Sequence, residues 1–143
     1  SMAGTILEKW GRCDIVIHGA SPSIKPIKAE ETNYKDVGVY LEIYLKGAIS
    51  LVNLFSPYMK DNQFGRFIFL GTSYLYGTPP RGMAAYVSAK EALWGYTKAL
   101  SSEIAHNGIF YQKIRICSID YVQIGIGNNA LIDAFMCEYF IKY

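Results

Sequence analysis

The sequence predicts an α/β fold built on a parallel sheet, and three observations carry that prediction. Two short apolar runs end at glycine: Asp14 to His18 stops at Gly19, and Gly65 to Gly71 closes on a glycine of its own. Runs of this length suit strands buried in a parallel sheet. Long segments of helical period follow each run, and strand–helix–strand units of this length imply right-handed crossovers between parallel strands.

In chain order, Asp14 to His18 is the first strand. Ser21 to Thr32 carries Pro22 and Pro26 and reads as a loop. Asn33 to Lys60 has a helical period, with Val37, Leu41, Tyr44, Leu45, Ala48, Leu51, Val52 and Phe55 forming its apolar face. Gly65 to Gly71 is the second strand. Tyr74 to Gly82, with Gly77, Pro79, Pro80 and Gly82, is a loop placed to overhang a site. Met83 to His106 is a second long helix, closed by the C-cap signal Asn107-Gly108. Lys113 to Ile119 is a third strand, and Ala130 to Phe140 a last short helix. No repeat, linker or low-complexity tract interrupts the 143 residues, which read as a single domain.

The chain is 51% hydrophobic and 18% charged, with a net charge of +2. That suits a globular protein with a real core and excludes nucleic acid or an anionic membrane as an electrostatic partner. No apolar run looks long enough to span a bilayer, and no secretory signal is visible, so the sequence reads as cytoplasmic. The apolar and aromatic share, with 12 tyrosines, is high for a free-standing small domain and suggests an oligomer or a partner chain. Cys13, Cys117 and Cys137 are odd in number and lack C-x-x-C spacing, which points to reduced thiols rather than disulfides or zinc. His18 and His106 stand far apart with no ligand cluster, so no metal is expected.

The chemistry sits around Tyr86. Lys90 follows it by four residues, and Ser73 precedes it by thirteen. On a helix, positions i and i+4 share a face, so the phenol and the ammonium lie side by side. A cation that close would favour phenolate and make the phenol a proton donor and acceptor near neutral pH. A serine at the end of the preceding strand would hold the oxygen that receives the proton, a constellation suited to carbonyl and alcohol chemistry. Each residue also has a plainer role: a half-buried helix tyrosine, a solvated lysine and a turn-capping serine. Gly71-Thr72-Ser73-Tyr74-Leu75 lacks the second glycine of a nucleophile elbow, which disfavours serine hydrolysis.

The Ser73, Tyr86 and Lys90 spacing resembles the active site of the short-chain dehydrogenase/reductase family, and other stretches agree in order. Cys13 to Ser21 resembles the family's strand and "N-N-A-G" turn. Lys46-Gly47 through Pro57-Tyr58-Met59 resembles its long central helix. Gly65 to Gly71 resembles the serine-bearing strand, and Gly95 to Glu103 the rest of the active-site helix. The likeness covers roughly residues 5 to 120. It implies a partial Rossmann-like, doubly wound parallel sheet of about three strands with long helices. It also implies an NAD- or NADP-dependent oxidoreductase acting on a small carbonyl or alcohol, and a homo-oligomer. Tyr86 would be the proton donor, Ser73 the carbonyl-oxygen contact, and Lys90 the partner of the nicotinamide ribose. Gly19 and Ala20 would join Tyr86 and Lys90 against the cofactor.

Departures from the pattern matter as much. The resemblance implies the second half of a domain, without the first three strands or the glycine-rich turn that holds pyrophosphate at a helix N-terminus. Ser1-Met2 reads as an expression remnant, and Ile6 to Gly11 as the end of the helix before the family's fourth strand. Gly125-Ile126-Gly127-Asn128-Asn129-Ala130 fits G-x-G-x-x-A, yet the acidic residue wanted about 20 positions on is missing, so a plain turn is the better reading. Asp120-Tyr121 replaces the family's Pro-Gly. Tyr44 stands where the family has an asparagine, and it would either fill that space or substitute with its hydroxyl. His18 in the "N-N-A-G" position would secure the strand end by a backbone hydrogen bond, or line the cofactor cleft. These departures support a second reading: a non-catalytic, truncated interaction module that pairs with another chain. A parallel sheet cut at an interior strand exposes an edge and an apolar face that a partner must cover.

Overall fold

The computed structural model describes the backbone of residues 2–104 and 109–114 and the side chains of residues 4–103. The element order is α1 (Met2–Trp10), β1 (Ile15–His18), α2 (Tyr34–Leu41), a π-helical turn (Glu42–Lys46), α3 (Gly47–Asp61), β2 (Gly65–Leu70), α4 (Ala84–Ile104) and β3 (Ile109–Ile114). Short 3₁₀ turns lie at Ala29–Glu31 and Ser73–Leu75. The strands form one parallel sheet in the order β1-β2-β3, with Ile15 opposite Arg66 and Gly65 opposite Ile109. This is the partial α/β architecture that the alternating pattern predicts.

Two boundaries differ from the sequence reading. The third strand begins at Ile109, four residues before the expected Lys113, because the β-prone run Ile109-Phe110-Tyr111 pairs with β2 at once. The expected strand residues 115–119, Cys117, Asp120-Tyr121, the Gly125–Ala130 segment, the last helix and Cys137 lie outside the described residues, as do His106 and the Asn107-Gly108 cap.

The long helix begins as expected. The Asn33 side chain accepts from the backbone N–H groups of Lys35 and Asp36, and the Asp36 carboxylate accepts from the Asn33 N–H at 2.9 Å, a complete capping box. The helix then runs to Asp61 through the π-helical turn, and its 28 residues are long and apolar enough to cross a bilayer by length and composition. The expectation that no segment reaches that length is corrected here, because the apolar stripe is spread along a helix rather than gathered in one run. A core helix passes the same test, and this one buries Tyr40, Tyr44, Ala48, Val52, Phe55 and Met59.

Those residues join Val16, Phe67 and Phe69 from the sheet and Ala85, Tyr86, Ala89 and Leu93 from α4 in a single buried cluster. Close approach is written into the sequence at Gly65, where a methyl group would overlap the Met59 side chain from Cβ to Sδ. Gly82 has φ +83° and packs on Pro26, and the Ile27 N–H donates to the Gly82 carbonyl at 3.0 Å. That contact fastens the loop before α4 to the loop after β1. On the other side of the sheet, Ile15 and Ile17 are 52% and 64% exposed.

Candidate active site

Parallel strands present their carboxyl ends together, and ligands of open α/β sheets bind in the crevice outside those ends. Here β1 ends at His18 and continues into exposed Gly19 and Ala20, while β2 ends at Leu70 and continues into Gly71-Thr72-Ser73. His18 is paired with Phe69, so the two turns lie side by side; a methyl at Gly19 would sit 3.0 Å from Leu70 Cδ1. The first turns of α4 bring Tyr86 and Lys90 to this corner, and Lys90 Nζ donates to the Leu70 carbonyl at 2.8 Å. The i, i+4 spacing has thus placed both side chains on one face, against the end of β2.

Tyr86 is 6% exposed and lies in an aromatic enclosure. The rings of Tyr40, Tyr44 and Tyr74 meet it edge-to-face at centroid distances of 6.0, 6.0 and 6.5 Å. Its hydroxyl is hydrogen-bonded by the Thr72 side chain. Burial pushes the phenol above its ordinary value, the Thr72 hydrogen bond opposes that, and Tyr74 and Tyr40 add to the rise. The expected effect of Lys90, a phenol shifted toward phenolate, is therefore corrected: burial decides the direction. The Lys90 ammonium lies 3.8 Å from the centroid of the Tyr44 ring and 5.9 Å from that of Tyr86, so the cation rests on a different ring.

Ser73 is half-buried in the 3₁₀ turn, and its carbonyl accepts from the Tyr76 N–H at 3.1 Å. It stands between Thr72 and Tyr74, the two residues of that turn that meet Tyr86. The spacing selected Ser73, whereas Thr72 beside it is the residue that acts on the Tyr86 phenol. The spacing missed Tyr40 and Ser21 as well; the abundance of tyrosine was the one sequence signal for the aromatic cluster.

Tyr44 occupies the position of the family's asparagine with its ring, not its hydroxyl, toward Lys90. The hydroxyl is turned to Ser21 Oγ at 2.6 Å, and the ring stacks on Tyr40 at 6.0 Å and 19°. Burial pushes this phenol up to about 12, against the lowering effect of the Ser21 hydrogen bond. His18 takes its backbone role: Nε2 lies 2.9 Å from the Ile43 carbonyl, which only accepts, so Nε2 carries the hydrogen.

Gly19 and Ala20 are exposed at the end of β1, next to the end of β2 where Lys90 is held. For the pyrophosphate, neither β1 nor β2 leads through a glycine-rich turn into a helix N-terminus; both lead into loops that carry prolines. Among the described residues no group of three or more His, Cys, Asp or Glu side chains could hold a metal ion.

Known proteins resemble this chain. The family model for short chain dehydrogenase matches residues 1–124. A short-chain dehydrogenase/reductase of Arabidopsis thaliana is 35% identical over 101 residues, covering 69% of this chain and 38% of its own length. Tropinone reductase-like 3 of Erythroxylum coca is 31% identical over 105 residues, covering 73% of this chain and 40% of its own length. The NAD⁺-bound structure of a xylitol dehydrogenase superposes with a TM-score of 0.74 at 20% identity, over 81% of this chain and 44% of that one, a likeness of fold. The chain spans 35% to 40% of the length of such curated relatives. With a family match over residues 1–124 and relatives more than 30% identical over more than two thirds of its length, this chain belongs to the short-chain dehydrogenase family of oxidoreductases.

Proposed function

We propose that this chain carries the active site of an NAD- or NADP-dependent oxidoreductase that interconverts a small carbonyl compound and its alcohol. The observation that supports this reading is the convergence of Tyr86 and Lys90 with the Thr72-Ser73 turn at the carboxyl ends of β1 and β2. Tyr86 and Lys90, with Gly19 and Ala20, would hold the nicotinamide end, and the bound nicotinamide would supply the hydride. The Tyr86 hydroxyl gives its proton to the carbonyl oxygen during reduction, with Ser73 placed to hydrogen-bond that oxygen and Thr72 orienting the phenol. A phenol pushed above its ordinary value stays protonated at neutral pH. It is then a ready donor for reduction, and a base for oxidation only in alkali.

A second reading, a non-catalytic module that pairs with another chain, draws on the Lys90 ammonium resting on the Tyr44 ring and on the partial dinucleotide site. Titration of NADH and NADPH against the purified chain separates the two. Saturable binding with enhanced nicotinamide fluorescence, and carbonyl reduction that falls by about 10²–10⁴ in Tyr86→Phe, supports the enzyme. Absent binding together with a stable complex between chains supports the module.

A further inference from the structure

We propose that Ser21 is a positioning residue: paired with the Tyr44 hydroxyl, it fixes the exposed Gly19–Ala20 turn at the end of β1 against the aromatic wall of Tyr86. The inference rests on the reading of that turn as the seat of the nicotinamide end and deepens it. Ser21 fills the last place of the "N-N-A-G" turn, and Tyr44 fills the place of the family's asparagine. Two departures from the pattern, 23 positions apart in the chain, are therefore partners in space, with 2.6 Å between their oxygens. Tyr44 is 1% exposed, so its hydroxyl needs a partner inside the protein. Ser21 Oγ donates to the Pro22 carbonyl at 3.1 Å, which leaves its oxygen to accept from the Tyr44 hydroxyl.

The turn is clamped at both ends. Ahead of it, His18 Nε2 donates to the Ile43 carbonyl at 2.9 Å, and the ring lies over Gly47, where a methyl would come within 3.0 Å of Nε2. Behind it, Ser21 holds Tyr44, the residue next to Ile43 in the π-helical turn. Gly19 and Ala20 lie between these anchors and are both exposed. Among the described residues, neither backbone is hydrogen-bonded to another backbone group. A turn without bonds of its own takes its order from its anchors. From Tyr44 the chemistry is one contact away: the ring stacks on Tyr40 and meets Tyr86 edge-to-face, each at 6.0 Å. A turn ordered beforehand binds its ligand more tightly than one that must be ordered on binding.

The test measures ¹⁵N order parameters of the Gly19 and Ala20 amides in the full chain without ligand, and the NADH dissociation constant of the same proteins. The unaltered chain is expected to show both amides near the rigid-backbone value of about 0.85, and Ser21→Ala to drop them toward about 0.6. Ser21→Thr, which keeps a hydroxyl, is expected to hold them. Tyr44→Phe, which keeps the ring and loses the partner, is expected to reproduce the drop. The Ser21→Ala/Tyr44→Phe double variant is expected to add nothing to either single one, since all three lack the same bond. NADH binding should weaken about tenfold in Ser21→Ala, about the cost of ordering one residue's backbone on binding, and recover in Ser21→Thr. Equal order in the unaltered chain and Ser21→Ala overturns the inference, as does an additive loss in the double variant or a drop in order that leaves NADH affinity unchanged. If the unaltered chain binds no NADH, the cofactor reading falls by itself, while the order parameters still decide the clamp. If Tyr44→Phe does not fold, the contrast between Ser21→Ala and Ser21→Thr decides.

Discussion

Thr72 stands one position before the serine that the spacing selects, and its side chain is the one that meets the Tyr86 hydroxyl. Removing that hydrogen bond while keeping the shape tests its weight. Thr72→Val is expected to push the Tyr86 phenol further up, so the alkaline limb of alcohol oxidation moves to higher pH while carbonyl reduction at neutral pH keeps its profile. Rate measurements in both directions across the alkaline range check this. The buried phenols also set a stability limit. Tyr44 and Tyr86 both hold their protons more tightly when folded than when unfolded. Their contribution is fully present below the ordinary phenol range and is lost as pH rises through the folded values, for Tyr44 between its ordinary 10.0 and about 12. Urea unfolding should show stability falling across that window, and Tyr44→Phe should flatten the fall. That Tyr86 and Lys90 share a helix face was legible from their i, i+4 spacing, and that Ser73 lies in the turn after β2 was legible from chain order. Where the ammonium points was not legible, since that depends on Tyr44 and Leu70, which lie 46 and 20 positions from Lys90 in the chain.

The long helix shows what period and capping can and cannot convey at the scale of an element. Its start was legible because Asn33 and Asp36 complete a local capping box. Its interior was legible in part: Tyr44, Ala48, Val52 and Phe55 are buried as the period predicts, whereas Tyr40, just ahead of the π-helical turn at Glu42–Lys46, is buried without having been selected by it. Asn33→Ala should cost about 1 kcal/mol, measurable as a lower denaturant midpoint with an unchanged slope. Gly65→Ala should cost more, about 1–3 kcal/mol, because the added methyl meets the fully buried Met59 at the point where α3 turns into β2. If both variants unfold at the same midpoint, the close packing of α3 on β2 does not have the importance given to it here. The third strand was found one turn of chain late because the apolar run after Lys113 drew the boundary, whereas pairing with β2 begins at Ile109.

At the scale of the molecule, composition predicted an uncovered apolar surface, and the sheet shows where one lies. β1 alternates, burying Val16 and His18 in the helical layer and exposing Ile15 and Ile17 on the other face. β1 is also an edge strand among the described residues, with a row of backbone groups able to accept another strand. Large apolar side chains beside an open edge favour association, either with a second copy or with a complementary chain. The purified protein is therefore expected to show a mass in light scattering that rises with concentration. Ile15→Lys/Ile17→Lys should suppress that rise. Both side chains are more than half exposed, so the substitutions should change thermal stability by no more than about 0.5 kcal/mol, and an unaltered melting temperature separates a lost contact from a damaged fold. If association survives the two lysines, the contact lies elsewhere, and the outer face of the long helix, where Tyr34 and Val39 are exposed, is the next surface to alter. The outcome also bears on chemistry: β1 ends at Gly19 and Ala20, so a chain that pairs along β1 would stand beside the corner where the nicotinamide end is proposed to bind.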